Sequence, residues 1–191
     1  MTENTLIIRP ATRQDLNAIG TLHRTVARIS QGIARTESEL TNAYFTDLFH
    51  TVEKHGLMLI AVDAAGQIIG EIHAAKSGLT IFDHNLIGLT IVVHPDVQGK
   101  GIGKQLFSAF LTDVQRRFPE VRRVELESRA SNEKSTGLYR SMGFVDEGRM
   151  KNKTRNADGS FEDSLLMAWY GPQTETGQQA LANKDINRQT R

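Results

Sequence analysis

Three glycines alternate through Gln98-Gly99-Lys100-Gly101-Ile102-Gly103-Lys104, directly after an apolar run at 86–93 and directly before a helical apolar pattern. That arrangement suits an anion. Glycine lets the backbone approach a ligand closely, and successive N–H groups at a helix N-terminus complement the charge of a diphosphate. The spacing is not that of a Walker A loop, because Gln98 stands where its first glycine belongs and Gln105 where its Ser or Thr belongs. A dinucleotide fingerprint fails too, since Lys104 or Leu106 occupies the place of the third glycine. Gln-x-x-Gly-x-Gly remains, and both a diphosphate cradle and a glycine turn without a ligand fit it.

Other chemistries find less support. The chain has no cysteine, which removes disulfides, thiolate nucleophiles and cysteine zinc sites together. His73, His84 and His94 match no compact ligand spacing, so no metal is expected. No G-x-S-x-G elbow marks a serine hydrolase. Charge is nearly balanced, 23 Lys and Arg against 22 Asp and Glu, with the basic residues scattered, so nucleic acid is not an expected partner. The N-terminus carries no secretory pattern and the apolar run at 57–62 is too short for a bilayer; a soluble, cytoplasmic protein without membrane contact is expected.

The elements that would position the loop follow from periodicity. A chain of 191 residues has the length of one domain, expected here over 1–171, with a polar, disordered tail over 172–191. A short strand at 6–9 closes at Pro10. Thr12 and Asp15 form a capping-box pattern ahead of a helix carrying Leu16, Ile19, Leu22, His23 and Val26, and Thr36 with Glu39 predicts a second helix reaching about His55. Strands at 57–63 and 67–75 read as a hairpin around Ala64-Ala65-Gly66, and the run at 86–93 as a strand buried on both faces. Ile102, Leu106, Phe107, Phe110, Leu111, Val114 and Phe118 then fall at helical spacing. Residues 121–129 alternate, Val124 and Leu126 against Glu125 and Glu127. A helix over 132–142 ends at Gly143-Phe144, and two strands around 148–154 and 161–169 flank Asp158-Gly159.

With this order in place, residues 91–104 resemble motif A of the GNAT (Gcn5-related N-acetyltransferase) superfamily, whose glutamine or arginine, x, x, glycine, x, glycine or alanine pattern wraps the acetyl-CoA pyrophosphate. Ser131-Asn132, Leu138-Tyr139 and Gly143-Phe144 resemble its motif B at the expected spacing. The resemblance covers about residues 6–170. It implies an α/β (α+β) GNAT fold: a central mixed, mostly antiparallel sheet, splayed at the acetyl-CoA strand and flanked by about four helices. By the same resemblance, Ile91, Val92 and Val93 pair with the pantetheine arm and the acetyl carbonyl, and Gln98, Gly99, Lys100, Gly101, Ile102, Gly103 and Lys104 hold the pyrophosphate.

Asn132 would then bond the cofactor arm, a role compatible with capping the last helix, and Tyr139 would stand beside the sulfur as general acid. The reaction needs such a group, because a neutral amine attacks the thioester and CoA leaves as a thiolate that must gain a proton. The ammonium must first lose one. Glu127, in a Glu-x-Arg-Ala-Ser-Asn segment similar to that of the bacterial ribosomal-protein N-terminal acetyltransferases, is the favoured base, and Glu71, which resembles the glutamate of histone acetyltransferases, is the second candidate. A solvated strand glutamate is the plain reading of either. The implied activity is transfer of an acetyl group from acetyl-CoA to a small primary amine such as an amino acid or polyamine. A peptide N-terminus or lysine is the alternative acceptor, a silent acyl-CoA-binding regulatory module is the alternative class, and a homodimer is open.

Overall fold

The computed structural model describes residues 6–29 and 33–179. It contains seven strands, β1 (Ile7–Pro10), β2 (Gly56–Val62), β3 (Ile68–Ala75), β4 (Asn85–Val93), β5 (Arg123–Arg129), β6 (Val145–Arg155) and β7 (Phe161–Tyr170). Four α-helices join them among the described residues: α1 (Leu16–Ala27), α2 (Asn42–His55), α3 (Ile102–Arg117) and α4 (Glu133–Met142). Strand order is β1-β2-β3-β4-β5-β7-β6, with β4–β5 parallel and β1–β2, β2–β3, β5–β7 and β6–β7 antiparallel. The mixed, mostly antiparallel sheet expected from the sequence is therefore present. By contact the chain divides into two compact units, Met1–Ala75 with Leu89–Val114, and Lys76–Gly88 with Gln115–Arg191.

In the first unit, β1 lies at the sheet edge, where Pro10 opposite Leu59 removes a donor at little cost. The Thr12 capping box forms: the Thr12 N–H and hydroxyl both donate to Asp15 Oδ2, at 2.7 and 2.8 Å. It opens a single 3-10 turn that leads into α1. Ile19 from α1 and Phe45, Phe49 and Val52 from α2 bury against Met58, Ile60 and Val62 of β2. Leu22 and Val26 of α1 cover Val92. The helix expected from Thr36 is interrupted. Thr36 caps only a 3-10 turn, Leu40 leaves helical geometry with its carbonyl taken by Arg24 Nη1 at 2.8 Å, and Thr41 caps α2 by accepting from Tyr44 N–H.

The hairpin forms as expected, with Asp63 Oδ1 accepting from Ala65 N–H and Gln67 N–H. Burial of β4 on both faces does not hold. Ile87 and Gly88 are exposed and Thr90, Ile91 and Val93 half-buried, so the run's apolar character does not reflect a sealed strand. In α3 the expected stripe is the buried one, and Leu106, Phe107, Phe110 and Val114 are fully covered.

In the second unit, β4 pairs with β5 at Asn85↔Arg123 and Leu86↔Val124. Val124, Leu126 and Ser128 form the buried face of β5, while Glu127 is exposed. Gly143, at φ 100°, ends α4 in the left-handed conformation that glycine adopts without strain. Past β7, the Gln173 side-chain amide donates to the Val121 carbonyl at 2.7 Å. The tail expected to be disordered from 172 is ordered where it is described: residues 175–179 are helical, with Gln178 N–H donating to the Thr174 carbonyl at 2.9 Å, and residues 180–191 lie outside the described residues.

Candidate active site

The glycine loop leaves β4 through a 3-10 turn at Pro95–Val97, where the His94 side chain accepts from Asp96 N–H. Gln98 is extended, and its Nε2 donates to the Val93 carbonyl at 3.0 Å, tying the loop back to the strand end. Gly99 and Gly101 stand at φ 79° and 81°, in the left-handed region that L side chains rarely adopt. Gly103 lies inside α3. The first bond of that helix runs from Gln105 N–H to the Gly101 carbonyl at 3.1 Å, so the N–H groups of Ile102, Gly103 and Lys104 have no acceptor within the helix. Lys100 and Lys104 are both exposed. The result is a concentration of backbone donors at the positive end of a sixteen-residue helix, with lysines to either side.

Within the same unit, Glu71 is not the solvated glutamate its strand position allowed. It has no exposed surface. Oε2 accepts from His23 Nε2 at 2.8 Å and Oε1 from His73 Nδ1 at 2.9 Å. Burial raises its pKa, but attraction to His73 and hydrogen bonds from both imidazoles outweigh that and hold the carboxyl well below the usual carboxylate range. An ionised carboxylate only accepts, so His23 carries its proton on Nε2 and His73 on Nδ1. The edge of His23 meets the Phe45 ring, centroids 5.2 Å apart. His23 was not singled out as a functional residue from the sequence, being 48 positions from Glu71. The one local signal was a histidine within the Leu22–Val26 apolar stripe. The ligand atoms of the three residues lie within 4.8 Å of one another, so by distance the set could surround a cation. Their mutual hydrogen bonds satisfy the carboxylate without one.

In the second unit, Asn132 caps α4, its Oδ1 accepting from Ser135 N–H at 3.2 Å. Tyr139 follows on the same helix, half-buried, with its ring centroid 6.2 Å from that of Phe144. Burial raises the pKa of its phenol, and a hydrogen bond with Ser135 opposes the rise without cancelling it. The proton therefore stays on this oxygen at neutral pH. Glu127 is exposed on β5, in register with Leu166 of β7. Further along the same face, Arg129 Nε lies 3.5 Å from Glu162 Oε1, and Glu162 Oε2 accepts from Ser131 N–H.

Residues 25–144 match the family model described as Acetyltransferase (GNAT) family. Among curated proteins, the chain is 36% identical over 78 residues to a [Ribosomal protein bS18]-alanine N-acetyltransferase of Escherichia coli (strain K12), covering 41% of this chain and 51% of that protein. It is 31% identical over 105 residues to an L-methionine sulfoximine/L-methionine sulfone acetyltransferase of Pseudomonas aeruginosa, covering 53% of this chain and 59% of that one. The chain thus spans between half and three-fifths of the length of these relatives. Among solved structures, a phosphinothricin acetyltransferase from Sinorhizobium meliloti in complex with acetyl-CoA superimposes with a TM-score of 0.78 at 25% identity, over 89% of this chain and 91% of that one.

Proposed function

The chain belongs to the GNAT acetyltransferase family, and we propose that it transfers the acetyl group of acetyl-CoA directly to a primary amine of a small molecule such as an amino acid or polyamine. The observation that carries this reading is the pair of left-handed glycines, Gly99 and Gly101, delivering the chain into the N-terminus of α3. In this reading the loop from Gln98 to Lys104 holds the diphosphate, Ile91, Val92 and Val93 pair with the pantetheine arm, and Asn132 bonds the arm while capping α4. Tyr139 gives its proton to the departing sulfur, and such a general acid contributes roughly 100- to 10,000-fold. Exposed Glu127 attracts and orients the acceptor as its ammonium; a carboxylate beside an ammonium favours the charged form, so loss of the proton needs a separate base. No enzyme-bound acyl intermediate is required.

Small acceptors are supported by the relative that acts on methionine sulfoximine and by the phosphinothricin acetyltransferase structure. A peptide N-terminus is the second reading, favoured by the Glu127-Ser128-Arg129-Ala130-Ser131-Asn132 segment and the ribosomal-protein relative. Thiol release from acetyl-CoA, measured across amino acids, polyamines and peptides beginning with alanine, tests both. Turnover with small amines supports the first, and turnover with peptides alone supports the second. CoA binding without turnover on any amine would overturn both in favour of a silent acyl-CoA-binding module.

A further inference from the structure

Removing the acceptor's proton is a matter of matched basicity, and a carboxylate is poorly matched. An exposed carboxylate, with an ordinary pKa of about 4.3, lies about six units below an alkylammonium near 10.4, whereas an imidazole near 6.5 lies about four units below it. The difference is roughly a hundredfold in the proton-transfer equilibrium. This chain has an imidazole held for such work.

We propose that His73 accepts the proton of the acceptor ammonium, directly or through one water, with Glu71 and His23 as positioning residues that fix its tautomer and ring orientation. The inference rests on the acetyl-transfer reading above. With Nδ1–H donated to Glu71 at 2.9 Å, the neutral ring keeps its lone pair on Nε2, which makes no hydrogen bond among the described residues. A buried carboxylate at Nδ1 and a lone pair at Nε2 is the arrangement that makes a histidine a directed base. His23, on the other carboxylate oxygen at 2.8 Å, stops Glu71 from turning away. His73 is also the most open of the three, 5% exposed against 1% for His23 and none for Glu71.

The cluster adjoins the strand assigned to the acetyl carbonyl. His23 sits on α1 between Leu22 and Val26, the two residues that cover Val92. A Cβ placed on Gly70, the residue before Glu71, would lie 3.5 Å from the Val92 carbonyl oxygen. Few other charges touch the group. From α1 the neighbour is Arg24, whose guanidinium is held at the Leu40 carbonyl and lies 5.9 Å from the Phe45 ring centroid. Uncharged Phe45 packs from α2, Met58 and Ile60 stand opposite His73 and Glu71 on β2, and Val92 lies on β4.

The protons balance. The ammonium proton passes to His73 and then to solvent. The freed nitrogen bonds the acetyl carbon, the C–S bond breaks, and the thiolate takes the Tyr139 proton. The new amide nitrogen sheds its second proton to solvent, and the phenol regains one from solvent.

The test is the pH profile of kcat/KM with an amine that the wild type acetylates, from about pH 5.5 to 9.5. His73→Asn keeps a side-chain N–H for Glu71 but has no counterpart of Nε2. It should lower kcat roughly 100-fold at pH 7 with KM for acetyl-CoA unchanged, replace the acid limb by a steady rise with pH, and regain activity with added imidazole. Glu71→Gln offers Nδ1 an amide that can donate as well as accept, so the ring's tautomer is no longer fixed; it should lower kcat at least tenfold with KM for acetyl-CoA unchanged, and it carries the test if His73→Asn fails to fold. A folded His73→Asn with the wild-type profile, or a folded Glu71→Gln with the wild-type kcat, would overturn the proposal. So would a loss uniform in pH without imidazole rescue, or stoichiometric zinc in the wild type that the variant lacks. No thiol release by the wild type with any amine would remove the acetyl-transfer reading and this inference together, whereas turnover with an unaltered His73→Asn removes the inference alone.

Discussion

The Gln98 side-chain amide donates to the Val93 carbonyl across 3.0 Å, so the last residue of β4 and the first residue of the glycine loop hold one another. Gln98 is exposed, and one such bond contributes about 1 kcal/mol. Gln98→Ala is therefore expected to leave thermal stability nearly intact and to weaken acetyl-CoA binding several-fold by loosening the loop's starting point. Calorimetric titration with acetyl-CoA checks it, and an unchanged Kd would show that the bond does not position the loop.

Gly101→Val acts on the backbone itself. A Cβ at this position meets no protein atom within 4 Å, so the fold has room for it, but φ is 81° and a β-branched residue is strained there by roughly 1–2 kcal/mol. Relaxing that strain re-aims the N–H groups that lead into α3. A loss of acetyl-CoA affinity of about tenfold or more is expected, with the folded state retained by circular dichroism. A folded variant with wild-type affinity would remove the diphosphate assignment.

The loop was legible because its signals are local: glycines at fixed spacing, a buried stripe in α3, and alternation in β5 all act within a few residues. Gly143 likewise announced the end of α4. The Thr36 pattern misled for a tertiary reason, since Leu40 turns inward and gives its carbonyl to Arg24, and the helix can begin only at Thr41. In β4 the apolar run predicts burial on both faces, although composition does not distinguish a sealed strand from one with Ile87 exposed and Thr90 and Ile91 half-exposed. The His23–Glu71–His73 set was illegible because α1 and β3 meet only through packing, and no spacing rule links positions so far apart.

Asp15 sets an acid limit on stability. The hydrogen bond from Arg9 is the main cause that lowers its pKa, opposed by burial and helped by Thr12, and the carboxyl is lowered from 3.8 to about 2. A depressed folded pKa stabilises fully above the unfolded value and is lost as pH falls, here between about 4 and 2. Arg9 is 40% exposed on its side chain, so solvent screening reduces the contribution to about 1 kcal/mol. Asp15→Asn should lower Tm at pH 7 and flatten the fall in stability over pH 4 to 2. An acid limb as steep as that of the wild type would show that Asp15 does not carry the linkage.

Glu127→Gln separates holding from chemistry. If the exposed carboxylate attracts the ammonium, KM for a cationic amine should rise about three- to tenfold at pH 7 while kcat changes less, and the defect should shrink at pH 9 as more amine is neutral. Raising salt should weaken wild-type affinity more than that of the variant. A kcat defect that persists at high pH, with KM unchanged, would contradict a holding role.

Tyr139→Phe tests the acid. The substitution keeps the ring and its contact with Phe144, centroids 6.2 Å apart, and removes only the proton and the bond with Ser135. Burial raises the phenol's pKa, so the wild type keeps this proton through the neutral range and loses it only at alkaline pH. The variant should therefore show kcat lowered roughly tenfold or more, acetyl-CoA affinity nearly unchanged, and no alkaline fall in rate where the wild type has one. An acetyl donor whose leaving thiol has a lower pKa needs less help from an acid, so the variant's deficit should narrow with it. Ser135→Ala, which removes the bond opposing the rise, should move the alkaline limb further upward. Wild-type kcat in a folded Tyr139→Phe enzyme, or a deficit that does not respond to the leaving group, would exclude Tyr139 as the proton donor.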